Sequence, residues 1–271
     1  MIMSWWEALI LGLLQGLTEF LPVSSSGHLV LGQYVLGLNP GGVTFEVFVH
    51  FGTVLSILTV YRKRVGAIVG EVWTALPRPA EWPARYRERD PFRLAVWILI
   101  TMIPTGLVYV LLGDWIEQTF EHPRFAAGML VVTGVLLVLT RLRRHPDGDL
   151  SPLKAFVVGV AQSAAMLPGI SRSGSTICAA IYQNVRPERA ADFSFLMLLP
   201  VVLGATLLKG IELIDSPESI SLVPLVLGTV AAYVSGVAAI KMLLQVVRRG
   251  RLEYFAYYCF LVGLLGLWLI R

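Results

Sequence analysis

The sequence predicts an all-α polytopic membrane protein: six transmembrane helices plus two re-entrant helix-loop-helix pairs, arranged as an inverted-topology repeat. Three observations carry this. Hydrophobic residues make up 56% of the 271 positions and charged residues 15%, for a mean hydropathy of +0.71, and apolar stretches repeatedly reach the roughly twenty residues that span a bilayer. Lys and Arg crowd into a few short segments between those stretches. Two of the apolar stretches are broken in the middle by Pro, Gly and Ser, and the two breaks resemble each other.

The first broken stretch, about 4 to 38, contains "GLTEFLPVSSSGH" at 16 to 28. No Lys or Arg precedes Arg62. The basic start of a cleavable signal peptide is therefore missing, and this segment is expected to stay in the mature chain. A full span follows at about 43 to 61, then a basic segment at 62 to 93 that includes Arg62, Lys63, Arg64, Arg78, Arg85, Arg87, Arg89 and Arg93. Spans at about 92 to 113 and 124 to 141 are joined by an acidic loop, 114 to 121, with Asp114, Glu117 and Glu121. A second basic loop, 141 to 154, carries Arg141, Arg143, Arg144 and Lys154 and leads into the second broken stretch, about 153 to 185. Spans at about 190 to 212, 222 to 247 and 253 to 270 complete the chain. The first two of these are joined by an acidic loop at 212 to 218 (Glu212, Asp215, Glu218), the last two by Arg248, Arg249 and Arg251.

Short loops rich in Lys and Arg stay in the cytoplasm. The basic loops are therefore predicted inside and the acidic ones outside. The stretch 153 to 185 then starts inside and ends inside, beside Arg186 and Arg189, so it must enter and return. The span 43 to 61 runs from outside to inside. The first stretch has about thirty-five residues, too few for two crossings of a core about 30 Å thick at about 1.5 Å per residue. It reads as re-entrant from the outside, and both chain termini fall on the extracytoplasmic side.

"GLLQGLTEFLPVSSSGH" (12 to 28) and "GVAQSAAMLPGISRSGS" (159 to 175) match at an offset of 147: Gly12 with Gly159, Gln15 with Gln162, Ser24 with Ser171, Ser26 with Ser173 and Gly27 with Gly174. The prolines are displaced by one position. One unit enters from outside and the other from inside, the pattern of inverted repeats whose broken helices meet near the midplane. The repeats are 1 to 147 and 148 to 271, together one integral membrane domain. The two cysteines, Cys178 and Cys259, lie in apolar surroundings and read as buried thiols rather than a disulfide or metal site. The net charge of +4 resides in loops; it speaks of topology and anionic lipid headgroups, not of nucleic acid.

Opening a helix inside a membrane frees backbone N–H and C=O groups, which is tolerated only where protein or water satisfies them. Each break is followed by a new half-helix whose N-terminus offers unpaired donors and a positive dipole end, a setting suited to phosphate. Ser24, Ser26 and Gly27 in one loop, and Ser171, Ser173 and Gly174 in the other, let such a ligand approach closely. Arg172 needs an anion at this depth, either a pair of phosphate oxygens or Glu19. Thr176 offers a further hydroxyl or packs its helix. Glu19 lies one turn after Gln15, and a carboxylate beside a phosphate is repulsive unless a cation separates them. Mg²⁺ or Ca²⁺ on oxygen ligands resolves this; a structural carboxylate paired with Arg is the alternative. His28 follows Ser25 by three positions, placing it to accept a proton from a seryl oxygen or water, or simply to bond at a helix start. Spacing does not rank Ser24, Ser25 and Ser26 as nucleophile, phosphate donors or turn formers. Glu46 and His50, in the following span, belong to the cavity wall behind the residues that touch ligand.

Together, "QGLTEFLPVSSSGH" and "PGISRSGST" resemble the undecaprenyl-pyrophosphate phosphatase family, also called bacitracin-resistance proteins. The similarity continues through "TFEVFVHFGT" (44 to 53) and "DFSFLMLLP" (192 to 200) and so covers essentially the whole chain. The resemblance implies hydrolysis of undecaprenyl pyrophosphate to undecaprenyl phosphate and inorganic phosphate with a divalent metal, recycling the lipid carrier of cell-wall synthesis. It implies an enzyme of the bacterial cytoplasmic (inner) membrane with six spans, two re-entrant pairs, an active site opening outward, and homodimers. The family's Glu or Gln, then Glu four residues later, fall on Gln15 and Glu19. Its seryl and histidyl positions fall on Ser25 and His28, and its phosphate-binding arginine on Arg172, with Ser171, Ser173 and Thr176 around it. Gln15 is the amide variant, which weakens any mechanism that needs two carboxylates on the metal and leaves Glu19 as the principal ligand. The expected division of labour has Arg172 and the half-helix N-termini holding the diphosphate, and Ser25 or water attacking with help from His28. The competing class is a polyprenyl-phosphate carrier on the same inverted-repeat scaffold.

Overall fold

The computed structural model describes residues 3–36, 42–143, 146–215 and 222–270. These residues form helices α1 (Trp5–Phe20), α2 (Ser25–Leu36), α3 (Gly42–Val60), α4 (Arg62–Ala75), α5 (Trp82–Glu88), α6 (Asp90–Thr119), α7 (Pro123–Leu139), α8 (Pro152–Ala164), α9 (Arg172–Tyr182), α10 (Pro187–Asp215), α11 (Leu222–Arg248) and α12 (Glu253–Leu269). The six long apolar runs of the sequence coincide with α3, α6, α7, α10, α11 and α12. Among the described residues, three helices are long and apolar enough to cross a membrane: α6, α11, and α7 with the turn that extends it to Leu142. The last residues of the first broken stretch, Arg144 of the second basic loop, and Glu218 with the side chains of Glu212 and Asp215 in the second acidic loop lie outside the described residues.

Local chemistry sets the helix starts. Ser4 opens α1 with a reciprocal cap, its hydroxyl accepting the Glu7 N–H and the Glu7 carboxylate accepting the Ser4 N–H at 2.7 Å. Ser151 caps α8, and Pro152 stands at the first helical position, where its missing N–H costs nothing. The four half-helices of the broken stretches are short: α1 has 16 residues, α2 12, α8 13 and α9 11. At about 1.5 Å per residue, none reaches across a core of about 30 Å.

The ends of the second broken stretch meet. The Gly148 N–H donates to the Asn184 carbonyl at 2.9 Å, and the Arg186 N–H returns to the Gly148 carbonyl at 3.0 Å. Charged groups gather at this end: Arg189 pairs with Asp90 and, at 3.2 Å, with Asp149; Arg186 lies 3.6 Å from Asp149. Arg64 pairs with Asp192 at 2.5 Å and Arg141 with Glu253 at 3.5 Å.

One prediction needs correction. Charge counting reads 62 to 93 as a loop, whereas it contains α4 and α5 and the first turn of α6. Arg85 is the reason: it is buried, and it donates to Glu71 at 2.6 Å, Thr74 at 3.0 Å and Glu81 at 2.7 Å, clamping α5 to α4.

Small residues bring the long helices together, as packing in lipid requires. α1 lies on α11 with Gly12 so close that a Cβ there would stand 2.3 Å from the Gly228 carbonyl oxygen. α8 lies on α6 with Gly159 against Thr101, where a Cβ would stand 2.7 Å from its Cα. These glycines stand 147 positions apart and each lets a neighbouring helix approach closely. The buried centre is built by α10 and its neighbours, with Phe193, Phe195 and Met197 packed near Ile177, Phe20 and Ile57. Cys178 and Cys259 are buried free thiols, as predicted.

Gly12→Val should therefore destabilise the protein by about 1–3 kcal/mol, because backbone on the facing helix cannot yield. Gly66→Ala, on an open face of α4 with no atom within 4 Å, should be neutral or gain up to about 1 kcal/mol of helix propensity. Thermal unfolding in detergent, followed by loss of the monodisperse species, checks both.

Candidate active site

The turn between α1 and α2 is made by Leu21–Ser24. Ser24 adopts φ +68°, the left-handed region that a serine seldom occupies. That turn folds Ser25, the first residue of α2, back over the last turn of α1, where its hydroxyl donates to Glu19 Oε2 at 2.6 Å. Gln15, one turn earlier, donates from Nε2 to the same oxygen at 3.0 Å. The turn between α8 and α9 uses Gly169 at φ +93°, where a Cβ would also strike the Ala126 carbonyl oxygen at 2.1 Å. Thr133 of α7 staples it, donating to the Gly169 carbonyl at 2.9 Å and accepting the Ser171 N–H at 3.0 Å. Arg172, the first residue of α9, then donates from Nη2 to Glu19 Oε1 at 2.8 Å.

The two turns are capped alike. Ser24 Oγ accepts the Gly27 N–H at 3.2 Å, and Ser171 Oγ accepts the Gly174 N–H at 3.0 Å. Ser24 and Ser26 hydroxyls lie 3.2 Å apart, as do those of Ser171 and Ser173. Each cap also leans on the other turn: a Cβ on Gly27 would stand 2.9 Å from Gly169 Cα, and one on Gly174 would stand 3.2 Å from Pro22 Cβ. Ser173 Oγ crosses over to donate to the Leu21 carbonyl at 3.1 Å.

Glu19 is the junction of this arrangement, 8% exposed in its side chain, with Arg172 at 14%. Of the two anions open to Arg172 in the sequence, Glu19 is the one it holds here; Nη1 also reaches the Ser194 carbonyl at 3.3 Å. Thr176 packs its helix: its hydroxyl donates to the Arg172 carbonyl at 2.7 Å and lies 2.6 Å from Ser194 Oγ. His50 donates from Nδ1 to the Glu46 carbonyl at 2.7 Å.

His28 departs from expectation. Its spacing from Ser25 suggested a proton acceptor for that hydroxyl, but both ring nitrogens are engaged elsewhere. Nδ1 meets the Ser24 carbonyl oxygen at 2.8 Å and Nε2 meets the Tyr258 hydroxyl at 2.8 Å, with the rings stacked at 5.5 Å. A carbonyl only accepts, so in the neutral ring Nδ1 carries the proton and Nε2 accepts from Tyr258. The Ser25 hydroxyl instead donates its hydrogen bond to Glu19.

Among the described residues no cluster of three His, Cys, Asp or Glu side chains surrounds a metal position. Hard oxygens are nevertheless available. Gln15 Oε1 is buried without a hydrogen-bond partner, beside the Glu19 carboxylate that its own Nε2 touches. An amide oxygen and a carboxylate, completed by phosphate oxygens and water, suit a divalent cation that arrives with a phosphorylated substrate.

Three further residues belong to the site without having been singled out: Tyr258, Ser194 and Thr133. Each is a hydroxyl inside an apolar run, and such a group must find a partner in the membrane. That signal was present in the sequence, and for Ser194 it stood inside the "DFSF" motif.

The profile of the family described as Bacitracin resistance protein BacA matches residues 8–265. The undecaprenyl-diphosphatase of Salinibacter ruber is 66% identical over 270 residues, covering 99% of this chain and 100% of that one. The undecaprenyl-diphosphatases of Syntrophotalea carbinolica and Halothermothrix orenii are 43% and 39% identical over 267 residues, covering 96% and 97% of this chain and 97% of each of theirs. With the match running through both turns and every helix that builds the site, the chain belongs to the bacitracin resistance protein BacA family.

Proposed function

We propose that this chain is a membrane enzyme that hydrolyses undecaprenyl pyrophosphate to undecaprenyl phosphate and inorganic phosphate, renewing the lipid carrier of cell-wall synthesis and thereby conferring bacitracin resistance. The names of its relatives support hydrolysis over carriage. The observation that carries the chemistry is the convergence of Ser25 and Arg172, each the first residue of a half-helix, on the two oxygens of Glu19. Two helix N-termini and a guanidinium concentrate positive potential at one buried point, and a diphosphate is a better match for it than a single carboxylate.

In the proposed mechanism the diphosphate takes over Arg172, which binds a pair of its oxygens through the guanidinium fork. The first N–H groups of α2 and α9 have no partner within their helices and point at the same ligand. Release of Arg172 leaves Glu19 as the base on Ser25. Ser25 Oγ forms a bond to the terminal phosphorus, its proton passes to Glu19, and the bridging P–O bond breaks with its electron pair leaving on undecaprenyl phosphate. Glu19 releases that proton to solvent and takes another from the water that attacks the phosphoseryl phosphorus; as the Ser25 O–P bond breaks and inorganic phosphate leaves, Glu19 passes the proton to Ser25 Oγ and the hydroxyl is restored. His28 holds the turn at Ser24, with Tyr258 holding His28. Gln15 Oε1 and Glu19 would hold Mg²⁺ or Ca²⁺, which supplies charge neutralisation on the phosphate oxygens.

The same reading includes the architecture: two inverted repeats, 1 to 147 and 148 to 271, each a re-entrant pair and three spans, with the site opening on the extracytoplasmic side of a bacterial cytoplasmic membrane. The matched caps, the matched glycines at 12 and 159 and the meeting of Gly148 with Asn184 and Arg186 support it. The ion pairs agree, since they join segments that the charge rule places on one side.

Glu19→Gln and Arg172→Ala should each lower phosphate release from undecaprenyl pyrophosphate by about 10²-fold or more, the usual cost of removing a proton acceptor or a charge-stabilising donor. The assay is run with and without Mg²⁺ or Ca²⁺, on protein whose thermal unfolding shows it folded. Near-normal release by folded Arg172→Ala would remove that residue from the site.

Ser25→Ala distinguishes the attacking oxygen. A loss of about 10²-fold, with a phosphoseryl species trapped by acid quench in the parent protein, is the outcome for seryl attack; retained release would transfer the attack to water. Tyr258→Phe removes one hydrogen bond at one step from the chemistry and should cost about threefold to tenfold in kcat, little in KM.

A further inference from the structure

We propose that α4 and α5 form a platform lying in the membrane interface that binds anionic phospholipid headgroups. The inference rests on the membrane orientation given above but not on the catalytic reading. Three observations meet here.

The first is geometric. α4 leaves the apolar helix α3 at a bend of 88° at Tyr61, so if α3 crosses the bilayer, α4 runs along its surface. The bend is held in place: the Tyr61 hydroxyl donates to Asp192 Oδ1 at 2.9 Å, and Arg64 takes Asp192 Oδ2 at 2.5 Å.

The second is the distribution of apolar groups on α4. Val65 and Ile68 pack against the buried centre. A different face carries Gly66, Val69, Gly70, Trp73 and Leu76 at helical spacing, and it is bare: Trp73 is 77% exposed, Leu76 60% and Val69 59%. No atom lies within 4 Å of a Cβ built on Gly66 or Gly70. Trp82 of α5 adds a second half-exposed indole, whose N–H is already given to the Ala75 carbonyl at 2.8 Å. An apolar stripe with tryptophans, on a helix beside a span and continuous with its apolar belt, matches the boundary between headgroups and acyl chains.

The third is charge. Residues 62–89 contain seven Lys and Arg against three Glu. Two of those acids are consumed within the platform: Glu71 by Arg85 and Arg89, and Glu81 by Arg85 with Arg78 at 3.7 Å. Arg62, Lys63 and Arg87 are exposed and have no acidic partner among the described residues. Unpaired cations flanking an apolar stripe complement an anionic leaflet. The clamp on Arg85 keeps the platform rigid, so its binding geometry exists before lipid arrives.

The test uses the full-length chain in nanodiscs of phosphatidylcholine, alone or mixed with phosphatidylglycerol. Nitroxides are attached at Val69→Cys, Trp73→Cys and, off the stripe, Ala67→Cys; Cys178 and Cys259 are buried and label poorly. Positions 69 and 73 should be open to oxygen and shielded from an aqueous nickel chelate, and position 67 the reverse. In native mass spectrometry, Arg62→Gln/Lys63→Gln/Arg87→Gln should retain at least about fivefold less phosphatidylglycerol than the parent, with phosphatidylcholine unchanged. Its phosphate release in detergent should stay within about twofold of the parent, since none of the three touches the site. Equal aqueous access at 67, 69 and 73 would overturn the proposal. So would shielding of 69 and 73 from both reagents, which a second copy of the chain would produce, or undiminished phosphatidylglycerol retention in the triple variant.

Discussion

Glu19 accepts the Arg172 guanidinium on one oxygen at 2.8 Å and the Ser25 hydroxyl on the other at 2.6 Å, and both donors begin helices that start inside an apolar fold. Much of the site can be understood as the cost of that junction. A buried ion pair is held only if its remaining hydrogen-bonding capacity is met, and here Gln15 and Ser25 donate to Glu19 while the Ser194 carbonyl accepts from Arg172. The broken helices supply something that an unbroken span cannot: helix starts, with their positive dipole ends, inside the fold. A carboxylate alone is a modest occupant for such a point. In the proposed mechanism the pair is a resting state, in which Glu19 neutralises Arg172 until a more highly charged ligand replaces it.

The scaffold is symmetric while the chemistry is not. At the offset of 147, the caps Ser24 and Ser171, the glycines Gly27 and Gly174, and the close-packed Gly12 and Gly159 have equivalent partners. Gln15 and Gln162 even share a buried, unpartnered Oε1. The reactive positions differ: Glu19 corresponds to Met166, Ser25 to Arg172 and His28 to Ser175. In the proposed function two matching helix starts meet at one place, and substitution at those starts divides the labour, one bringing base and nucleophile and the other the cation. Two identical carboxylates facing each other there would repel, and two arginines would have no counter-ion.

Helices, breaks and the pairing of the two turns were legible because they follow from hydropathy, from Pro and Gly, and from a repeat that can be counted. The orientation of side chains within the turns was not. Ser25 and His28 lie three apart, a spacing that puts residues on one face of a regular helix, yet the ring turns to α12 and the hydroxyl to α1. The partners that set this divergence, Glu19 and Tyr258, lie on other helices, and local spacing gives no warning of them. Tyr258 was hidden for a related reason: its partner is 230 residues away, and only the rule that a hydroxyl in the membrane must be satisfied marked it. The helices α4 and α5 were missed because charge density at 62–89 outweighed a periodicity that becomes meaningful only once Arg85 is seen to be buried.

Rotation of α10 links the charged end of the molecule to the site. Residues two apart on a helix point about 200° from one another, and Asp192 and Ser194 use that separation. Asp192 faces the α3–α4 corner, with Tyr61 on one oxygen and Arg64 on the other. Ser194 faces α9, with its hydroxyl 2.6 Å from Thr176 and its carbonyl accepting Arg172. Turning α10 to improve one contact would break the other, so the helix is held from both sides. Arg172 is thus positioned by more than its bond to Glu19, and in the proposed mechanism, where a ligand takes the place of the carboxylate, the Ser194 carbonyl keeps its hold on the guanidinium.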